Sequence, residues 1–235
     1  MIRVENLYFA YEQYSILSDI SFHVETGDIV VILGKNGSGK STLLKLLAHL
    51  LSPRTGRICY EPYDTFAKHV AWLGPEYLTD IYFTVEEIVE MGQFPHHTKQ
   101  AYSFLSEFKL EALKNTLFSK LSSGEQQRTM LAKTFTQDTP IMLLDEPFEH
   151  LDLEHQIELR QRLLSCKKTT LFSSHDLNLS LSFATKVMCL CDGKIQAFGN
   201  PVEVLTKEVL YKTYHTHFEI EKTDTQVRLF TGSNP

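Results

Sequence analysis

The sequence predicts an α/β fold: a parallel core sheet, an antiparallel β piece added at the N-terminus, and a helical subdomain. Three observations predict it. DIVVILG, IMLLDEP and TTLFSSHD contain short continuous apolar runs, the pattern of strands buried on both faces. Amphipathic helical stretches separate these runs, the alternation that builds a parallel sheet. IRVENLYFAY and ILSDISFHV instead alternate apolar and polar residues at period two, as half-exposed strands do.

The elements follow in order. After the two alternating strands, DIVVILG is turned by GKNGSGKS into the amphipathic helix STLLKLLAHLL. PRTG makes a turn, and RICY and HVAWLG read as further strands. Residues from Val85 to Leu117 are mostly helical in pattern, broken at Gly92 and Pro95. IMLLDEP is a buried strand, LEHQIELRQRLL an amphipathic helix and TTLFSSHD another buried strand. KVMCLCDG and KIQAFG form a hairpin about Asp192-Gly193. From Pro201 the tail is helical and then β-like. There is no internal repeat, low-complexity tract or linker, so residues 1–235 read as a single domain with a helical subdomain at about 85–135.

Composition excludes several classes. Of the 235 residues 43% are hydrophobic and 22% charged, as in a globular protein, and the net charge of −6 argues against a broad nucleic-acid or anionic-membrane surface. No apolar run approaches the ~18 residues of a spanning helix. The start, MIRVENLYF, is a strand pattern and not a signal peptide. The chain therefore reads as cytosolic, with any membrane role peripheral. Cys59, Cys166, Cys189 and Cys191 show neither zinc spacing nor CxxC, and read as inert thiols. His96, His97, His215 and His217 have no carboxylate or cysteine company and read as surface histidines.

GKNGSGKST matches G-x-x-x-x-G-K-[ST] completely, between a buried strand and a helix, where such a loop belongs. Gly34, Asn36, Gly37, Ser38 and Gly39 let the backbone wrap phosphates with its N–H groups, which continue into Lys40, Ser41 and Thr42. Lys40 is placed to reach the β- and γ-phosphates of ATP, and the Ser41 hydroxyl to ligate Mg²⁺. IMLLDEP ends in Asp145 and Glu146 at the sheet's carboxyl edge, where ligands bind in open α/β sheets. Asp145 suits the Mg²⁺ shell, and Glu146 suits the base that polarises the attacking water.

LSSGEQQR, followed by TMLAKTF, is a second helix start fit for an anion. Alone it reads equally as an ordinary cap, with Ser122 or Ser123 at the N-cap and Glu125 in the first turn. Its company decides. GKNGSGKST, LSSGEQQR, IMLLDEP, HLD at His150–Asp152 and SSHD at Ser173–Asp176 resemble, in order and spacing, the motifs of the ATP-binding-cassette (ABC) ATPases. The resemblance covers essentially the whole chain. It implies a head-to-tail homodimer in which Ser122 and Gly124 cap the γ-phosphate held by the partner's phosphate loop. It implies that Asp152 lies in the loop that communicates across the dimer, that His175 contacts the γ-phosphate and steadies the water, and that Tyr11 stacks under adenine.

The sequence departs from the family in places. Where the family has a glutamine after the strand HVAWLG, this chain has Gly74-Pro75-Glu76, and Glu76 is the nearest substitute as a Mg²⁺ ligand. Ser123 stands for the usual glycine, Lys35 for a common proline, and Phe148 for a frequent Thr or Ser. TVEEIVEMGQFPHH and HDLNLSLSFATKVMCLCDGKIQAFGNPVEVL are similar to the cassettes of importers of iron–siderophore, haem or cobalamin. The resemblance thus implies an ATPase subunit at the cytoplasmic face of the inner membrane, working with a separate transmembrane permease and, indirectly, a periplasmic or surface substrate-binding protein. A zinc or manganese importer and an exporter cassette are the alternatives. A soluble cassette of DNA repair or translation fits poorly: the stretch between Thr42 and Leu121 is short and has no sustained heptad, and the acidic charge disfavours nucleic acid.

Overall fold

The computed structural model describes residues 1–62, 69–74, 82–93, 101–224 and 226–231. The chain begins with strands β1 (Ile2–Tyr11) and β2 (Tyr14–Val24), then β3 (Ile29–Leu33), helix α1 (Lys40–Leu47), β4 (Thr55–Tyr60) and β5 (Val70–Leu73). Helices α2 (Val85–Met91), α3 (Ala101–Glu107) and α4 (Ser123–Thr136) follow, then β6 (Ile141–Leu144), α5 (Leu153–Ser165), β7 (Thr169–Ser173) and α6 (Leu177–Leu181). The C-terminal part holds β8 (Lys186–Cys191), β9 (Lys194–Gly199), α7 (Pro201–Val204), α8 (Lys207–Tyr214), β10 (Phe218–Lys222) and β11 (Val227–Thr231).

The central sheet has six strands in the order β5-β6-β7-β3-β8-β9. All neighbours run parallel except β8 and β9, the hairpin turned by Asp192 (φ 48°) and Gly193 (φ 71°). The continuous apolar runs have the predicted cause, since both faces of this sheet are covered. Ile29, Val31 and Leu33 of β3 face a core shared with α2–α5 and the C-terminal elements. Val30 and Ile32 face a second core shared with α1 and the N-terminal strands. Those strands, joined by RICY, form a separate antiparallel sheet in the order β2-β1-β4.

One helical expectation is corrected. The helix after the phosphate loop stops at Leu47, because the chain turns left-handed at His49 (φ 51°), although its apolar pattern continues. The described residues between Val85 and Leu117 are mostly helical, as expected: α2, α3 and a 3-10 turn at Glu111–Leu113. Helix α2 does end at Gly92, as expected; a Cβ there would lie 2.2 Å from the Lys133 carbonyl oxygen of α4. Pro95, His96, His97 and Glu76 lie outside the described residues. Cys189 is buried and free, and burial pushes its thiol up to about 12. His215 and His217 are exposed, and no metal-holding cluster exists among the described residues.

Candidate functional site

Strands β6, β7 and β3 are parallel neighbours, so their carboxyl ends bring three loops side by side. The loop after β3 carries Gly34 to Gly39. Gly39 is the N-cap of α1 at φ 105°, a left-handed conformation that disfavours side chains, and a Cβ there would lie 2.7 Å from Leu17 of β2. A Cβ at Gly34 would lie 2.3 Å from the Leu190 carbonyl oxygen. Asn36 and Gly37 are exposed at the loop's crest, and Ser41 and Thr42 are half-buried in the first turn of α1.

Lys40 is buried, and its Nζ donates to the carbonyls of Gly34 (2.9 Å) and Lys35 (3.2 Å). Burial lowers its pKa, opposed by the charges of Glu146 and Asp145. Asp145 is also buried. Its Oδ1 accepts from Ser173 Oγ at 2.5 Å, while its Oδ2 is buried with no donor. Ser38 Oγ is a second buried atom without a partner. An orphaned, buried carboxylate oxygen fits a hard, oxygen-seeking cation, and with the Ser41 hydroxyl the donor types agree with Mg²⁺.

Glu146 sits at φ 52°, left-handed for a non-glycine residue. Its N–H donates to Ser173 Oγ (2.9 Å), its carbonyl accepts from Gln127 Nε2 (3.3 Å), and its Oε1 lies 2.6 Å from His175 Nε2. Desolvation raises its pKa, against the lowering charges of His175 and Lys40; Glu149 and Asp145 add to the rise. As a candidate base, Glu146 must be deprotonated to act. The rate should therefore be present above this raised pKa and lost as pH falls through it. We expect the acid limb of a kcat–pH profile to lie above the ordinary glutamate value of about 4.3. His175→Gln removes the largest lowering charge and should move that limb to higher pH; a limb that stays put would separate it from Glu146.

The second helix start is built as a capping box. Ser122 Oγ accepts from Glu125 N (3.4 Å), and Glu125 Oε2 accepts from Ser122 N (2.8 Å). The cap reading of LSSGEQQR thus holds at Ser122, but it uses only those two N–H groups. The N–H groups of Ser123 and Gly124 make no hydrogen bond among the described residues. Gly124 packs on the loop before α5: a Cβ there would lie 2.9 Å from the His150 carbonyl oxygen. Asp152 is the N-cap of α5, accepting from His155 N (3.0 Å) and facing His155 Nδ1 (2.7 Å), which holds its carboxyl below the usual range.

The structure brings Lys40, Asp145, Glu146 and His175 together. It links Gly124 to the loop of Asp152. No hydrogen bond or ion pair joins residues 121–125 to residues 34–42 among the described residues. Tyr11 stands at the end of β1, partly exposed, edge-on to Phe9 at 4.8 Å. Sequence reasoning missed Ser173, which bridges Asp145 and Glu146, and Gln127. It also missed Tyr214 of α8, which reaches the backbone of Gly34. The strand register reveals Ser173: β6 and β7 pair Leu144 with Phe172, so the next residues, Asp145 and Ser173, lie side by side.

Fold and site together define a P-loop nucleoside triphosphatase. The model of the ABC transporter family matches residues 17–149. A probable siderophore transport system ATP-binding protein, YusV of Bacillus subtilis, is 32% identical over 93% of this chain and 87% of its own. The hemin import ATP-binding protein HmuV of Escherichia coli O157:H7 is 33% identical over 94% of this chain and 95% of its own. Among solved structures, a transporter assigned to the metal-chelate type, in an inward-facing conformation, matches at a TM-score of 0.78 with 26% identity, covering 97% of this chain and 95% of its own. The chain belongs to the ABC transporter family, as its ATP-binding ATPase component.

Proposed function

We propose that this chain powers the import of a metal chelate, such as an iron–siderophore complex, haem or cobalamin, through a separate permease at the cytoplasmic face of the membrane. It works as a head-to-tail homodimer. The observation that carries the dimer is the split between two phosphate-directed elements: Lys40, Asp145 and Glu146 form one centre, while the open N–H groups of Ser123 and Gly124 belong to a helix start held against the loop of Asp152. A helix start with free N–H groups favours an anion. Among the described residues no helix is long and apolar enough to cross a membrane. The siderophore and hemin relatives support the cargo class.

The chemistry follows from the residues. When ATP arrives, Lys40 exchanges the Gly34 and Lys35 carbonyls for β- and γ-phosphate oxygens. Ser41 and Asp145 would hold Mg²⁺, which when bound would supply charge neutralisation at the phosphates. Glu146 takes a proton from the water that attacks the γ-phosphorus, the bond to the bridging oxygen breaks, and ADP and phosphate leave. His175, 2.6 Å from Glu146, stands where it can steady both water and base. Tyr11 is the adenine platform in this reading, and Glu76 the contact that senses the permease.

The test is reconstitution with the permease and its binding protein in vesicles. ATPase stimulated by a ferric siderophore, haem or cobalamin is the expected result. Stimulation by free zinc or manganese alone, or no association with any permease, would overturn the cargo assignment.

A further inference from the structure

The loop from Glu146 to Leu151 carries the base near one end and leads to Asp152 at the other. It has two non-glycine residues in the left-handed region, Glu146 (φ 52°) and His150 (φ 61°). Such conformations persist only where the surroundings over-determine them. Two side-chain amides do so here. Gln127 of α4 donates Nε2 to the carbonyls of Glu146 (3.3 Å) and Pro147 (3.1 Å). Gln156 of α5 donates Nε2 to the carbonyls of Phe148 (3.4 Å) and Leu151 (3.1 Å). Each amide nitrogen spreads its two hydrogens over two carbonyls, so four carbonyls of one loop hang from two helices. Backbone turns add Glu149 N to Glu146 O (3.1 Å) and Leu151 N to Phe148 O (3.4 Å), which leave the loop curled but do not tie it to a helix.

Gln127 sits in the helix whose start is Ser122, little more than a turn away. Besides the Glu149 N–H on its carbonyl, the other ties on Glu146 come from the β7 side: Ser173 Oγ on its N–H and His175 on its carboxyl. Without Gln127, nothing among the described residues holds the Glu146 and Pro147 carbonyls to α4. The Glu146 peptide could then rotate out of the left-handed well, and the carboxylate would swing with it.

We propose that Gln127 is a positioning residue for hydrolysis, which fixes the catalytic carboxylate by suspending its backbone from the helix that begins at Ser122. This rests on the reading of Glu146 as the base. Gln127 touches no reacting atom; it acts through Glu146 alone, with Gln156 holding the far end of the same loop.

The experiment is a double-mutant cycle on the full chain, read by single-turnover hydrolysis and by ATP affinity. Gln127→Met keeps the length of the side chain and removes both donors. It should lower the hydrolysis rate by about ten- to a hundredfold, the scale of a misplaced catalytic group, with ATP affinity unchanged. In a Glu146→Gln background the same substitution should cost nothing further, because a residue that acts through another has no effect once that other is gone. Gln127→Glu, equal in shape and unable to donate at neutral pH, is the second variant should Gln127→Met fail to fold, and the same losses are expected. A full rate in Gln127→Met, or an equal loss in both backgrounds, overturns the suspension while leaving Glu146 as base. Full hydrolysis in Glu146→Gln alone overturns the base and the suspension together.

Discussion

Glu146→Gln should bind Mg²⁺-ATP normally and lose about 100- to 10,000-fold in hydrolysis, the share general-base catalysis supplies. The substitution is nearly isosteric. The N–H of residue 146 keeps Ser173, its carbonyl keeps Gln127, and an amide oxygen can still accept from His175. What disappears is the ability to take a proton. Two unspent nucleotides would then hold two chains together, since each Ser122 helix start would still meet a γ-phosphate. The variant should accumulate as a dimer on size-exclusion chromatography with ATP and Mg²⁺, and as a monomer without them. A monomer at every concentration with ATP present would count against a dimer closed by nucleotide.

Lys40→Ala should lower kcat/KM by about 100-fold or more, the loss expected when a preorganised charge on a transferring phosphoryl group is removed. The lysine is buried, and its Nζ lies on two carbonyls of its own loop. Burial lowers its pKa, so the charged form is disfavoured in the fold. An unchanged melting temperature in the alanine variant would show that lost turnover reports lost chemistry. Activity near the wild-type level, with the melting temperature unchanged, would remove Lys40 from the site.

What the sequence made legible was whatever is written in local order. The runs IVVIL, IMLL and TTLFS declare strands covered on both faces, and the two cores confirm why: alternate β3 side chains go to different cores. The phosphate loop, Asp145, Glu146 and His175 were legible because each follows directly on such a strand. The end of α1 was not, since His49 turns the chain by its backbone while the apolar pattern runs on. Gln127 and Ser173 stood in motifs whose neighbours drew the assignments. Their partners are far along the chain, Ser173 to Asp145 and Gln127 to Glu146, and only the strand order and the packing of α4 reveal them. The capping box at Ser122 shows the opposite: a local reading that was right and still incomplete, because it leaves the next two N–H groups open.

The central claim is that each nucleotide is held by Lys40 of one chain and the Ser122 helix start of another. A tethered dimer tests it most directly, with Lys40→Ala in one half and Ser122→Arg in the other. Ser122→Arg puts bulk where the γ-phosphate would lie, so a dimer carrying either substitution in both halves should be inactive. If the helix start serves the partner's nucleotide, the mixed dimer gathers both lesions in one site and leaves the other whole, and ATP hydrolysis returns in part. If it serves its own chain's nucleotide, each site carries one lesion. A mixed dimer that is folded, traps no ATP at either site and hydrolyses none would contradict the claim.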